Sequence, residues 1–214
     1  MSKLDVTIID YGVGNLLSVQ RGFEHCGAKV TLASKPEQIL AASRVVLPGV
    51  GAFANGMKAL DVLQLLPVIH EVAERGTPFL GICLGMQLLL DQSDEFGLSE
   101  GLGLISGHVK VIPDVSTDGE TLKTPHIGWN EIIPSKQTDW RGTLLSDNHS
   151  DDAMYFVHSF MATPNDNAHR LADCIYGGHQ IAAVIHRDNI MGCQFHPEKS
   201  GNKGLKLLRQ FLYL

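Results

Sequence analysis

The stretch Phe79-Leu-Gly-Ile-Cys-Leu-Gly-Met-Gln-Leu-Leu-Leu90 constrains this chain more than any other. Residues 78–82 form a short apolar run of strand length, whereas residues 84–90 are rich in Leu, Met and Gln with no breaker, which favours helix. A strand must therefore hand over to a helix at Cys83. Gly81 and Gly85 flank the handover and leave room for a sharp turn that holds one side chain in a strained, outward pose, as the Gly-x-Ser-x-Gly nucleophile elbow does for an oxygen. At a helix start, unpaired N–H groups and the positive end of the helix dipole favour thiolate over thiol. A lone cysteine in such a turn reads first as a buried structural residue. The paired glycines make Cys83 a candidate nucleophile, and a base elsewhere has to decide between the two readings.

With 214 residues and 44% hydrophobic content, the chain can bury a full core as one domain over residues 1–214. A net charge of -6 and the lack of any Lys and Arg cluster argue against a nucleic-acid surface and for small-molecule or protein partners. The N-terminus has no basic region followed by a long apolar stretch, and no run reaches membrane-spanning length, so a cytoplasmic chain without membrane contact is expected. Cys26, Cys83, Cys174 and Cys193 are too widely spaced for a disulfide framework or a Cys-x-x-Cys clamp, and three of them read as small core residues. There is no His-Glu-x-x-His and no close histidine pair, so neither a metal nor a cofactor is expected.

Residues 4–10 read as a buried strand, followed by the turn Tyr11-Gly12-Val13-Gly14-Asn15 and a helix over residues 16–26 that Gly27 can close. Gly12 and Gly14 invite a dinucleotide-binding reading. It fails, because position 17 is Leu where a third glycine belongs and the strand over residues 30–33 ends without an acidic residue for a ribose. Asn15 suffices as a helix N-cap. Ser34-Lys-Pro-Glu37 has capping-box spacing and predicts a short helix ending near Ala42, before a third strand over residues 44–47. Pro48-Gly-Val-Gly51 then precedes a helix near residues 54–60. Its glycines let main-chain N–H groups approach a ligand, so the loop is either an ordinary turn or a seat for an anion or a developing oxyanion. An amphipathic helix over residues 63–75 leads back to the Cys83 strand. Such alternation implies a parallel sheet with sites beyond the carboxyl ends of its strands, where residues 49–51 and Cys83 both fall.

Beyond residue 93 the texture changes to strand-like runs at residues 108–112, 130–133, 152–157, 170–175, 180–186 and 190–195, expected to be mostly antiparallel, with turns at Gly177-Gly178 and Arg187-Asp-Asn189. Residues 113–123 read as a mobile surface loop and residues 202–212 as a final amphipathic helix.

Among ten histidines, His196 separates itself by context: Met191-Gly-Cys-Gln-Phe-His-Pro-Glu198 predicts a strand ending in a histidine, with a carboxylate two residues on. Period-two geometry places His196 and Glu198 on one face, so the carboxylate can orient the ring while the other nitrogen points to a nucleophile. The alternative is that His-Pro-Glu only turns the chain into its last helix, and spacing alone leaves both open.

Gly81-Ile-Cys-Leu-Gly-Met-Gln87 and Gln194-Phe-His-Pro-Glu198 together resemble the paired signatures of the class I, triad-type glutamine amidotransferases. Within that family the chain is most similar to the glutaminase subunits of imidazole glycerol phosphate synthase. The resemblance runs through Asp10-Tyr-Gly-Val-Gly-Asn15, Leu47-Pro-Gly-Val-Gly-Ala-Phe53, Pro125-His-Ile-Gly-Trp-Asn130, Tyr155-Phe-Val-His-Ser-Phe160 and His196-Pro-Glu-Lys-Ser200. It implies a three-layer α/β fold, with a mostly parallel central sheet flanked by helices and an antiparallel C-terminal half. It also implies Cys83 as nucleophile, His196 as acid and base, and Glu198 as its orienter. An oxyanion hole would come from Leu84 N–H and the loop Gly49, Val50, Gly51, and glutamine would be held by Gln87, Gly51, His158, Ser159 and Phe160. The implied partner is a cyclase subunit with a (β/α)-barrel fold, in a 1:1 heterodimer docked through Asn15, Trp129 and Lys199. Many relatives carry Pro-Gly-Gly where this loop has Val50, and a side chain there restricts the backbone, so the hole is expected not to be preformed.

Two rival readings remain at this level. A cysteine-based α/β-hydrolase would place its acid well before its histidine, whereas Glu198 follows His196. A non-catalytic binding or redox-sensing module would merely expose Cys83 to oxidants.

Overall fold

The structure, a computed structural model, describes residues 4–135 and 138–214, so the first residues used for the leader reading lie outside the described residues. The first part alternates β1 (Asp5–Ile9), α1 (Leu16–His25), β2 (Lys29–Ala33), α2 (Pro36–Leu40), β3 (Val45–Gly49), α3 (Phe53–Val62), α4 (Leu66–Glu74) and β4 (Phe79–Cys83), and α5 (Leu84–Leu88) follows β4 without a loop. Then come β5 (Gln92–Ser93), β6 (Ser99–Glu100), β7 (Gly107–Val111), β8 (His126–Pro134), β9 (Asp152–His158), β10 (Phe160–Pro164), β11 (Arg170–Tyr176), β12 (His179–Arg187) and β13 (Ile190–Cys193), before the final helix α6 (Gly201–Phe211).

A nine-stranded sheet has the order β2-β1-β3-β4-β13-β12-β11-β8-β9. Pairing is parallel from β2 through β13 and antiparallel from β13 to β9, so the sheet is evenly divided rather than mostly parallel. The antiparallel half arises because β12, β11, β8 and β9 extend the same sheet instead of forming one of their own. A four-stranded sheet, β10-β7-β5-β6, lies apart from it. Strand alternation divides the core between two faces. Val6, Ile8, Leu80 and Ile82 pack with Phe23 of α1 and Leu207, Leu208 and Phe211 of α6. Ile9, Leu47 and Phe79 pack with Ile39, Leu60, Ile69 and Val72 of α2, α3 and α4. Helices on both faces of one sheet make the three layers.

Cys83 sits between β4 and α5 at φ 54° and ψ −111°, a left-handed conformation that costs a non-glycine residue on the order of 1–3 kcal/mol and survives only where the surroundings hold it. Close packing holds it here. A Cβ on Gly85 would lie 1.8 Å from the Leu47 carbonyl oxygen, and one on Gly81 would lie 2.6 Å from the Gly85 oxygen. The first turn of α5 can therefore press onto β3 and β4 only with glycine on both sides of the cysteine.

Several expected details differ. The Ser34-to-Glu37 capping box does not form: Lys35 is the cap residue, without a side-chain bond, because Pro36 occupies the first helical position and suits it with its fixed φ. The helix expected from residue 63 starts at Leu66, since Gln64 takes φ 56° and breaks the pattern. Residues 113–123 are tied down rather than free, through a Val115 to Thr121 bridge and the Thr117 N–H donated to Gly177 O at 2.9 Å. The turns at Gly177-Gly178 and after Arg187 join β11 to β12 and β12 to β13 as expected.

Strands β8 and β9 bury a histidine pair. His126 lies opposite His158 in the ladder, with Nδ1 of the first 3.1 Å from Nε2 of the second, and its ring stacks on Tyr176 at 4.0 Å. Burial holds both rings neutral: His126 is lowered to about 4, and His158 to about 3 with the neighbouring His126 adding to the effect.

Two predictions follow from these contacts. Gly85→Ala should lower stability by at least about 2–3 kcal/mol, because its methyl group meets backbone that cannot move aside, and chemical denaturation measures this. Both buried histidines bind fewer protons folded than unfolded below about pH 6.5, so their contribution is complete above that value and drains as the pH falls towards about 3. The thermal midpoint should thus fall between about pH 7 and about pH 4.5, and His126→Gln, which donates without titrating, should flatten that decline; an identical pH curve for the variant would contradict the assignment.

Candidate active site

Parallel pairing of β13 with β4 sets Cys193 beside Ile82, so the residues after β13 emerge at the same sheet end as Cys83. His196 is held there through its backbone, which donates to Tyr155 O on β9 at 2.9 Å, while Ser200 Oγ donates back to His196 O. Glu198 reaches the ring by a different route from the one expected. Residues Pro197–Lys199 form a 3-10 turn rather than a continuing strand, and the turn folds Glu198 Oε1 back to 2.8 Å from His196 Nδ1. Pro197 cannot donate to a ladder and its φ suits the first position of such a turn, which is why strand alternation stops here.

The Glu198 carboxylate is fully buried and His196 nearly so. Burial opposes the imidazolium, but the neighbouring Cys83 sulfur and the Glu198 carboxylate outweigh it, and His196 is pushed up to about 10. The sulfur acts by proximity, for His196 Nε2 makes no well-formed hydrogen bond with the protein and Glu198 Oε2 makes none either. Cys83 is 7% exposed, with Sγ 4.0 Å from Val157 O and 3.9 Å from Gln194 Nε2.

A cavity of about 540 Å³ opens over these groups. Cys83, Leu84 and Gln87 line one side, Val50 and Gly51 another, and His158, Ser159 and Phe160 with His196 and Lys199 complete it. Ten of the residues singled out in the sequence thus share one hollow. Gln87 donates from Nε2 to Phe160 O and to Gln194 Oε1, both at 3.0 Å, which leaves its oxygen free to accept from a bound molecule. The His158 ring is already committed to His126 and to Phe160 O, so only its backbone faces a ligand.

Gly49 lies outside the cavity wall. A Cβ there would meet Tyr11 Oη at 2.7 Å and Leu84 Cβ at 2.9 Å, so its place is a close approach between β3 and the elbow. Tyr11 Oη donates to Pro48 O at 2.8 Å; burial, with Cys83 adding to it, pushes the phenol above its ordinary range and keeps it a donor. Beyond this anchor Val50 is 44% exposed and Gly51 takes φ 95°. Asn15 caps α1 by accepting from Ser18 N at 3.4 Å. Trp129 is 59% exposed on β8, edge-on to Tyr155, and is therefore not a core residue.

Two cavity residues escaped the sequence reading. Glu95 lines the hollow and accepts from Phe53 N at 2.6 Å, and Phe96 beside it is 92% exposed at φ 55°. They sit in a short connection between β5 and β6, and the only signal was a carboxylate a few residues after the elbow helix. Among the described residues no group of three or more His, Cys, Asp or Glu side chains is placed to hold a metal ion.

The family profile for glutamine amidotransferase class-I matches residues 7–214. Over 210 residues the chain is 53% identical to a protein of Legionella pneumophila named imidazole glycerol phosphate synthase subunit HisH 1, covering 98% of this chain and 99% of the relative. A Geobacter sulfurreducens protein named as the HisH subunit is 44% identical over 207 residues, covering 96% of this chain and 97% of its own. Among solved structures, a glutamine amidotransferase superposes with a TM-score of 0.73 at 14% identity, covering 97% of each chain, and PurLQS of Thermotoga maritima with 0.70 at 18%, covering 99% and 98%. On these matches, and with its cysteine and histidine on one cavity, the chain belongs to the class I glutamine amidotransferases.

Proposed function

We propose that this chain hydrolyses glutamine to glutamate and ammonia, and that it does so as the glutaminase subunit of an imidazole glycerol phosphate synthase in histidine biosynthesis. The observation that carries the reading is the shared cavity of Cys83 and His196, with Glu198 hydrogen-bonded behind the histidine.

Cys83 attacks the side-chain carboxamide carbon of glutamine, and the carbonyl electron pair moves onto oxygen. Leu84 N–H and the N–H of residue 50 or 51 hold that oxyanion; losing one such donor typically costs about 10²- to 10³-fold in rate. The imidazolium gives its proton to the departing nitrogen, which leaves as ammonia, and a glutamyl thioester remains. His196 then takes a proton from water, which attacks the thioester and frees glutamate. A histidine held protonated by its two neighbours suits the first step, and Glu198 fixes ring pose and tautomer throughout. Glu95 is the acidic group at the cavity wall suited to the α-ammonium of the substrate, and the Gln87 oxygen is placed to accept from it or from the carboxamide.

Ammonia released into water is protonated and lost as a nucleophile, so the reaction serves synthesis only if a second protein takes the ammonia directly. The relatives' names as subunits support a cyclase partner. In this reading the partner is a (β/α)-barrel subunit in a cytoplasmic 1:1 heterodimer, producing imidazole glycerol phosphate and an aminoimidazole carboxamide ribotide. Trp129 on β8 and Lys199 at the cavity edge are exposed and suited to docking, and Asn15 follows Gly14, where a Cβ would lie 3.6 Å from Gly49 N. Val50 lacks the backbone freedom of glycine, so the loop is expected to adopt its working geometry only when the partner bears on it.

Isolated chain should therefore hydrolyse glutamine slowly, with the cyclase and its nucleotide ligand accelerating turnover by at least about tenfold; equal rates with and without them in a coupled glutamate assay would count against the reading. Cys83→Ala should abolish glutamine turnover while the complex supplied with ammonium salt still forms product. Residual glutaminase activity in that variant would mean that another group is the nucleophile.

A further inference from the structure

Hydrogen-bond polarity beside Cys83 is dictated by one backbone carbonyl. Phe160 O can only accept, and both His158 Nδ1 at 2.8 Å and Gln87 Nε2 at 3.0 Å reach it. The Gln87 amide must then present its NH2 end inward, where the same nitrogen meets Gln194 Oε1 at 3.0 Å. With its oxygen committed to Gln87, the Gln194 amide turns its own NH2 towards Cys83 Sγ, 3.9 Å away. The two ends of a carboxamide have the same shape, and this network is what distinguishes them. Reversing either amide would set donor against donor or acceptor against acceptor in a buried place.

Gln194 is 0% exposed, and a carboxamide is costly to bury unless its hydrogen bonds are needed. On another side of the sulfur stands Val157 O at 4.0 Å, an acceptor for the thiol proton. Once that proton leaves, the Val157 carbonyl repels the sulfur and the Gln194 N–H attracts it. Sulfur accepts at longer range than oxygen, and a charged acceptor strengthens the bond. The donor therefore favours the ionised sulfur over the neutral one.

We propose that Gln194 supplies the Cys83 sulfur with a hydrogen-bond donor for the negative charge it carries before attack, and that Gln87 is the positioning residue that aims it. This rests on the glutaminase reading and adds a group outside both the Cys-His-Glu set and the oxyanion loop.

The test is the pH dependence of Cys83 alkylation by iodoacetamide, followed by peptide mass on the full chain, in wild type, Gln194→Leu and Gln87→Met. Losing the donor should move the midpoint of the rate curve up by about half to one pH unit in Gln194→Leu and by less in Gln87→Met. In Gln194→Leu, kcat for glutamine should fall about tenfold with KM changed less than about twofold. A packing role alone leaves the alkylation midpoint in place. Should Gln194→Leu fail to fold, Gln87→Met decides, since it keeps Gln194 but removes the group that orients it. Midpoints unmoved or lowered in natively folded variants would overturn the proposal. That outcome is separate from failure of the glutaminase reading, which shows as turnover surviving in Cys83→Ala.

Discussion

Cys83 and His196 stand far apart in sequence, and what brings them together is the insertion of β13 beside β4. Parallel pairing there aligns Cys193 with Ile82, so both strands deliver their next residues to one sheet end. Had β13 paired antiparallel to β4, its carboxyl end would point to the opposite pole. β12, which runs the other way, returns the chain so that β13 can enter in the required direction, and α6 then covers the face where the elbow cysteine packs. Sheet order therefore comes before chemistry, since a nucleophile and a base on different ends of a sheet cannot share a substrate.

Within that frame, strain and close contact refine positions by fractions of an ångström. The left-handed backbone at Cys83 is tolerated because α5 is pressed against β3, with the Gly85 position closed to any side chain by the Leu47 carbonyl. Tyr11 anchors the last residues of β3 through Pro48, and the chain beyond that anchor is more exposed. The site thus joins a buried half, carrying sulfur and imidazole, to an exposed half at residues 50 and 51. Such a division suits the proposed dependence of turnover on a partner, which would need to rearrange only the exposed half.

Electrostatics follow the same layout. Burial alone would strip the proton from His196, yet Glu198 and the sulfur retain it. A short distance away burial prevails over His158 and His126, which have no carboxylate beside them and stay neutral. Neutral rings can pass hydrogen-bond direction from Asn130 on β8 inward to Phe160 O, and from there the two glutamines carry it to the Cys83 sulfur.

Much of this was legible in the sequence. The strand-to-helix handover at Cys83, the glycines around it, the alternation of β1 to β4 with helices and the hairpin at Gly177-Gly178 are local patterns, and local sterics and periodicity suffice to read them. The His196 and Glu198 pair was also visible, although its geometry was not: period two suggested a strand, whereas the proline imposed a 3-10 turn that reaches the same contact. Glu95 was not legible as part of a site, because it lies in a short connection without periodicity, and Gln194 stood within the Gln194-Phe-His-Pro-Glu198 signature without a role of its own, because what it touches lies on other segments. By itself the sequence determined most of the strands and helices, though not β5, β6 or β10, and where one side chain must stand strained between them, since these depend on neighbours within a few residues. Tertiary structure alone decided the even split of the sheet, the meeting of sulfur and imidazole, and the direction of the buried amides, because each depends on contacts between segments whose separation along the chain carries no record of their distance in space.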